Sequence, residues 1–177
     1  MVRKIVIFFA YVLFFILALM YFSPKVSLYH LMEKELKKYD VVISDERVED
    51  RGFSLDVNSL TLYAKGINSA SVENINIKLL ALYNSIDISN IRLSSIATTF
   101  IPVRINELHI TYSIFNPLNI TAEGSGGFGE AEGTFNILKR TLNLNVIPSP
   151  KMLKQYKNSM RKMKKNEDGS YSYDKSF

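Results

Sequence analysis

The side chains that ordinarily carry catalysis or metal binding are sparse and scattered in this sequence. It has no cysteine, which removes disulfides, thiolate nucleophiles and cysteine-based zinc sites. Its two histidines, His30 and His109, stand far apart in segments of different character, with no metal-ligand spacing. No carboxylate pair or nucleophile motif accompanies them, so the residues point away from an enzyme and from any cofactor. The stretch ITAEGSGGFGEAEGTFNI at 120–137 holds five of the eight glycines. A phosphate-binding loop would need a following Lys-Ser/Thr and a helix. Neither follows, so the stretch reads as a tight hairpin around Ser125-Gly126-Gly127, with glycine and alanine on a crowded face.

Two other kinds of chemistry are written more strongly. One is electrostatic. Residues 151–165 carry seven basic side chains (Lys151, Lys154, Lys157, Arg161, Lys162, Lys164 and Lys165) and no acid. Residues 23–150 hold twelve basic and fourteen acidic residues, a balance of −2, so the positive charge of the domain is concentrated in this one segment. Contact with anionic lipid or with an acidic partner is one reading, and a solvated lysine-rich face is the other. Nucleic acid is a poor partner for a chain that also carries a membrane anchor.

The second is the chemistry of apolar surface. Four six-residue units repeat: VNSLTL at 57–62, VENINI at 72–77, ISNIRL at 88–93 and INELHI at 105–110. Each reads apolar, two polar, then apolar-polar-apolar, at spacings of 15, 16 and 17 residues. Within them Leu60, Leu62, Ile75, Ile77, Ile91, Leu93, Leu108 and Ile110 alternate with polar residues that include Thr61, Asn76, Arg92 and His109. Such alternation predicts strands with one apolar and one wet face. His109 therefore reads as a solvated side chain, as does His30 on its helix. A strand with one apolar face cannot stand alone, so the units are expected side by side, joined by turns at Lys65-Gly66-Ile67-Asn68 and Tyr83-Asn84-Ser85. The apolar face they build is either a closed core or a groove that holds lipid chains.

The elements that position these residues follow. Residues 5–22 are 18 consecutive apolar or aromatic positions. At about 1.5 Å per residue they reach about 27 Å, close to the hydrocarbon thickness of a bilayer. The run is longer than the apolar part of a cleaved signal and ends in bulky Met20-Tyr21-Phe22, so an uncleaved signal anchor within residues 1–22 is expected. Arg3, Lys4 and the α-amino group precede it, which orients the N-terminus to the cytoplasm and residues 23–177 across the membrane. In a bacterium the main domain would then be periplasmic, on a single-pass inner-membrane protein. A helix is expected near 24–38, capped by Ser23 with Pro24 in its first turn, its stripe formed by Leu28, Met32 and Leu36 beside Tyr29 and Tyr39. Ser149 and Pro150 repeat that opening for a second amphipathic helix near 150–164, with a stripe of Met152, Leu153, Tyr156, Met160 and Met163. RTLNLNVI at 140–147 and SYSYDKSF after Gly169 read as further strands. The fold class is thus mainly β: a transmembrane helix, then a curved antiparallel sheet of about nine strands with two amphipathic helices.

The anchor, the Ser-Pro-led LYHLMEKEL helix, the GFSLDVNSLTL entry and the VENINIKL-type units resemble the type II secretion system N-protein family. The closing LNLNVIPSPKMLKQYKNSMRKMKKNEDGSYSYD is similar to the end of those proteins and of the wider AsmA-like group. The resemblance implies a non-enzymatic inner-membrane protein with a periplasmic sheet. Its role would be that of an accessory in secretion or cell-envelope assembly, or of a lipid-binding or lipid-transfer groove in envelope lipid homeostasis.

Overall fold

The computed structural model describes residues 2–80, 82–94, 102 and 104–177. Met1, whose amino group enters the orientation argument, lies outside the described residues. Helix α1 (Val2–Tyr21) has no buried residue and is long and apolar enough to cross a membrane. Helix α2 (Lys25–Lys37) follows after a short junction. Then come β1 (Val41–Ser44), β2 (Arg47–Asp50), β3 (Ser54–Ala64), β4 (Ile67–Leu79), β5 (Tyr83–Leu93), β6 (Arg104–Ser113), β7 (Asn119–Gly126), β8 (Gly129–Asn136) and β9 (Thr141–Pro148). Two short helices, α3 (Pro150–Gln155) and α4 (Lys157–Met160), lead to β10 (Lys164–Lys165) and β11 (Tyr171–Ser176).

All eleven strands form one open antiparallel sheet, in the order β1-β3-β4-β5-β6-β7-β8-β9-β11-β10, with β2 beside β1 on the edge of β3. The count exceeds the expected nine because β1, β2 and β10 are too short to show a period. Tyr83, Asn84 and Ser85 already belong to β5, so the turn comes before them, whereas Lys65 and Gly66 form the expected turn with positive φ.

The repeated unit acquires a structural meaning here. On β3, Val57 and Leu60 both join the core although they are three residues apart, an odd step that strict alternation would send to opposite faces. The ladder pairs Asn58 with Asn74 and Leu60 with Val72, passing over Ser59 and Glu73. On the next pairs it passes over Asn90 and Asn106 in the same way. Ser59 and Asn90 adopt left-handed φ of 57° and 55°, which turns the chain over by one residue and restores the apolar phase. The two polar residues of each unit therefore form a line of phase reversals across four strands. Position one of each unit meets position four of its neighbour: Val57 faces Ile75, Ile75 faces Ile88, and Ile88 faces Leu108.

One face of the sheet carries helices. Tyr29 of α2 joins a buried cluster with Ile43, Leu55, Val57, Leu60, Val72 and Ile91, and Val26 and Leu36 pack against it. Leu28 and Met32 are exposed, so the packed stripe is rotated from the expected one. Lys25 is buried, with Nζ 3.5 Å from Asp50 and donating to the carbonyls of Tyr21 (3.1 Å) and Ser23 (3.3 Å). Those bonds satisfy a carbonyl at the end of α1, and Tyr29, one turn on along the same side of α2, is buried too. Ser23 does not cap α2; its hydroxyl donates back to Met20 O at 2.9 Å. Ser149 does cap α3, accepting from Met152 N at 3.1 Å while donating to Gly127 O at 2.7 Å. The expected helix over 150–164 breaks at Tyr156 (φ −119°, ψ 32°), Met152 and Met160 are buried on either side of the break, and Lys164 and Lys165 pass into β10.

Candidate functional site

The apolar face divides into a closed part and an open part. Of the eight aliphatic residues singled out by the repeat, Leu60 and Ile91 are buried in the cluster that Tyr29 of α2 joins, and Leu62, Ile75, Ile77, Leu93 and Leu108 pack against that cluster half-buried. These seven form a core. Each fully covered leucine or isoleucine contributes about 1.5–3 kcal/mol there. Ile110 is also half-buried but lies outside that cluster, where α2 no longer reaches.

From Ile110 the face continues over strands the repeat does not include. A middle row crosses the sheet through Leu55, Ile77, Ile86, Ile110, Ala122, Gly133, Leu144 and Tyr173. The next row toward α3 runs from Leu108 through Gly124 and Ala131 to Val146 and Tyr171. Ala122, Gly133, Gly124 and Ala131 thus make a two-by-two block of the smallest side chains, with Leu108 and Ile110 on one bank and Leu144 and Val146 on the other. A third row, Tyr112, Ile120, Phe135 and Leu142, closes the block with large side chains that stay half-exposed. Low side chains over β7 and β8 flanked by larger ones make a shallow apolar trough by register, between α2 and the α3–α4 pair among the described residues, with the Phe128 ring at its far-rim end.

The glycines here serve two purposes. A Cβ on Gly126 would lie 2.7 Å from Arg104 O, so the crowding expected of this segment holds at its turn. A Cβ on Gly124 or Gly133 would meet its nearest atom at 3.4 or 3.6 Å, an ordinary contact with the leucine leaning over it. Those two glycines keep the trough low without being forced by backbone approach. The period-two pattern of ITAEGSG and GEAEGTF carried this signal, because small and polar residues alternate there.

Residues 151–165 frame the far bank. All seven basic side chains are exposed, and none has a salt bridge among the described residues. Leu153, Lys157, Met160, Arg161 and Tyr171 line a recess of about 350 Å³ with an apolar floor and cationic edge. The segment leaves the sheet after Pro148 and returns opposite Val146, so it sits at the rim where β9 ends. Helix α1 joins at the opposite rim, beside the turn that enters β3.

The outer face is mainly polar, with Ile147 an exposed exception on β9. Its central row runs from Asp56 through Asn76, Asp87, His109, Glu123 and Glu132 to Asn145. His109 is not a solitary solvated histidine. Its Nδ1 bonds the Asp87 carboxylate, and its Nε2 lies 3.4 Å from the Tyr83 hydroxyl. Burial acts to raise the Asp87 carboxyl, but hydrogen bonds and charge from His109 and Lys78 outweigh it and hold the group below its ordinary value. The arrangement orients an imidazole, and the group at its far nitrogen is a tyrosine hydroxyl rather than an activated nucleophile. His30 bonds only Glu33, at 3.2 Å on the exposed side of α2.

Compared with family models, curated proteins and solved structures, the chain has no match.

Proposed function

We propose that the chain is a non-enzymatic, membrane-anchored module of the bacterial envelope that holds lipid acyl chains on the helix-bearing face of its sheet, as the AsmA-like resemblance implies. The observation that carries this reading is the half-buried block of Ala122, Gly124, Ala131 and Gly133, apolar on its described sides and, among the described residues, overlaid by the Leu108, Phe128 and Leu144 side chains rather than by a helix. Toward the rim where α1 ends it is bounded by Tyr112, Ile120, Phe135 and Leu142, all apolar or aromatic and half-buried, so an acyl chain that passes over that row meets no charged side chain. The main domain is then periplasmic and the N-terminus cytoplasmic, with no cofactor and no nucleic acid involved.

A role as an accessory in secretion or envelope assembly, acting through protein contacts, is favoured by a separate observation. The basic segment at the far rim and the exposed Leu28, Leu31 and Met32 on α2 are surfaces that suit protein partners. Photo-crosslinking separates the two. The full chain in membranes is irradiated with a phospholipid carrying a diazirine on its acyl chain. Lipid holding predicts adducts on Tyr112, Phe135 and Leu142 and none on Thr121, Glu132 or Asn143 of the outer face. Adducts confined to α1, together with a co-purifying protein crosslinked through residues 151–165, would replace lipid holding by the partner reading.

A further inference from the structure

Hairpin turns of an antiparallel meander alternate between two rims, and among the described residues the hairpin turns of one rim differ from those of the other. At the rim where α1 ends, every described turn carries a large exposed apolar side chain: Phe53, Leu82, Phe115, Leu118 and Leu138, with Phe177 closing the chain there. Phe115 and Leu138 are 82% and 75% exposed. At the far rim the described hairpin turns, Lys65-Gly66 and Gly127-Phe128, hold no large apolar side chain as exposed as these, and the exposed apolar groups there (Tyr39, Ile67, Ile147 and Leu153) sit on helices, strand ends and the α2–β1 connection rather than in hairpin turns. The apolar turns also end at a common level. Counted from the middle row, their apolar residues lie two positions on (Phe53) or four positions on (Leu82, Ile114, Leu118, Ile137 and Phe177). At about 3.3 Å per residue those ends agree within ~7 Å across the sheet.

The same rim receives the membrane-spanning helix. The Tyr21 and Phe53 rings pack edge to face at 5.5 Å, and Gly52 (φ 79°) lies so close to Tyr21 that no Cβ would fit. Buried Lys25 holds the last carbonyls of α1 against Asp50 on this rim. The exit of α1 is therefore fixed relative to the sheet. Lys139 and Arg140 follow Ile137-Leu138 in one exposed turn, the apolar-then-basic order that suits an interface of acyl chains and anionic headgroups.

We infer that this rim rests in the bilayer interface, with Phe53, Leu82, Phe115, Leu138 and Phe177 inserted among the lipids around α1 and the strands standing up from the membrane. The inference rests on α1 being a membrane anchor. It sets the trough's row of Tyr112, Ile120, Phe135 and Leu142 toward the acyl region and lifts the basic segment away from that bilayer.

The chain has no cysteine, so single-cysteine probes are unambiguous. Leu13→Cys, Phe115→Cys, Leu138→Cys and Lys65→Cys, each in the full chain, would carry an environment-sensitive fluorophore in vesicles of phosphatidylethanolamine and phosphatidylglycerol. A nitroxide on the acyl chain should quench positions 13, 115 and 138 several-fold more than position 65. Quenching at 13 with none at 115 and 138 would overturn the rim contact while leaving the anchor intact. No quenching at 13 would remove the anchor itself and the inference with it. Labels at 115 and 138 shielded from aqueous iodide yet untouched by the lipid quencher would put a second protein chain on the rim, which also overturns it.

Discussion

Filling the trough from its floor should abolish lipid holding without unfolding the protein. Gly133 is the position to use. It has no left-handed φ, and a Cβ there would meet Leu144 Cδ1 at 3.6 Å, so a side chain enters without displacing backbone. The four carbons of Gly133→Leu displace about four methylenes of a bound chain. At about 0.8 kcal/mol per methylene that is about 3 kcal/mol, or roughly two hundredfold in affinity. Stability should hold or rise, because glycine weakens a strand interior and leucine gives it a side chain to pack. Thr134→Leu adds a similar side chain to the outer face and serves as the control. Titration with a fluorescent phospholipid measures affinity, and a thermal melt reports folding. The reasoning is refuted if Gly133→Leu binds lipid as the wild type does, or if Thr134→Leu weakens binding equally.

Leu60 is 1% exposed beneath α2, and Leu60→Ala should cost about 2–5 kcal/mol by chemical denaturation, a large part of a domain's total stability. Ile110→Ala, at a half-exposed bank of the trough, should cost clearly less; an equal loss would mean that the face is closed there. Asp87 is held below its ordinary value of 3.8, so its contribution to stability is present above that value and lost as pH falls through the lower folded one. Thermal melts of wild type and Asp87→Asn should differ above about pH 4 and converge in more acid solution; a gap that stayed constant would remove Asp87 from the acid response. Alkaline phosphatase fused after Phe177 should be active in a bacterial host, and an inactive fusion would reverse the orientation drawn from Arg3 and Lys4.

Much of this architecture was legible in the sequence, and its failures have physical reasons. The long strands and α1 were readable because period-two alternation and an unbroken apolar run are local properties. The phase reversal at Ser59 and Asn90 was not, since a pattern of apolar, two polar, apolar is ambiguous until neighbouring strands fix which face is covered. Burial of Lys25 was unreadable for a related cause: its partners are carbonyls of the preceding helix and Asp50, and no side-chain pattern records a backbone acceptor. The pairing of His109 with Asp87 depends on the register between β5 and β6, 22 positions apart in the chain. The apolar stripe over 150–164 was correctly apolar, but spacing alone does not reveal a break at Tyr156. The small residues at 122, 124, 131 and 133 were visible as a pattern. What they line was not, because an open trough is defined by where the helices stop.

The central claim is that the uncovered face holds lipid, and the most direct measurement is of what the protein carries. The full chain is purified from its membranes in a mild detergent, exchanged thoroughly, extracted with organic solvent and analysed by mass spectrometry, beside Gly133→Leu handled identically. The account predicts near-stoichiometric phospholipid from the wild type and a large loss from the variant, both proteins being equally folded by circular dichroism. Equal lipid in the two, or a folded wild type that carries none, would contradict it.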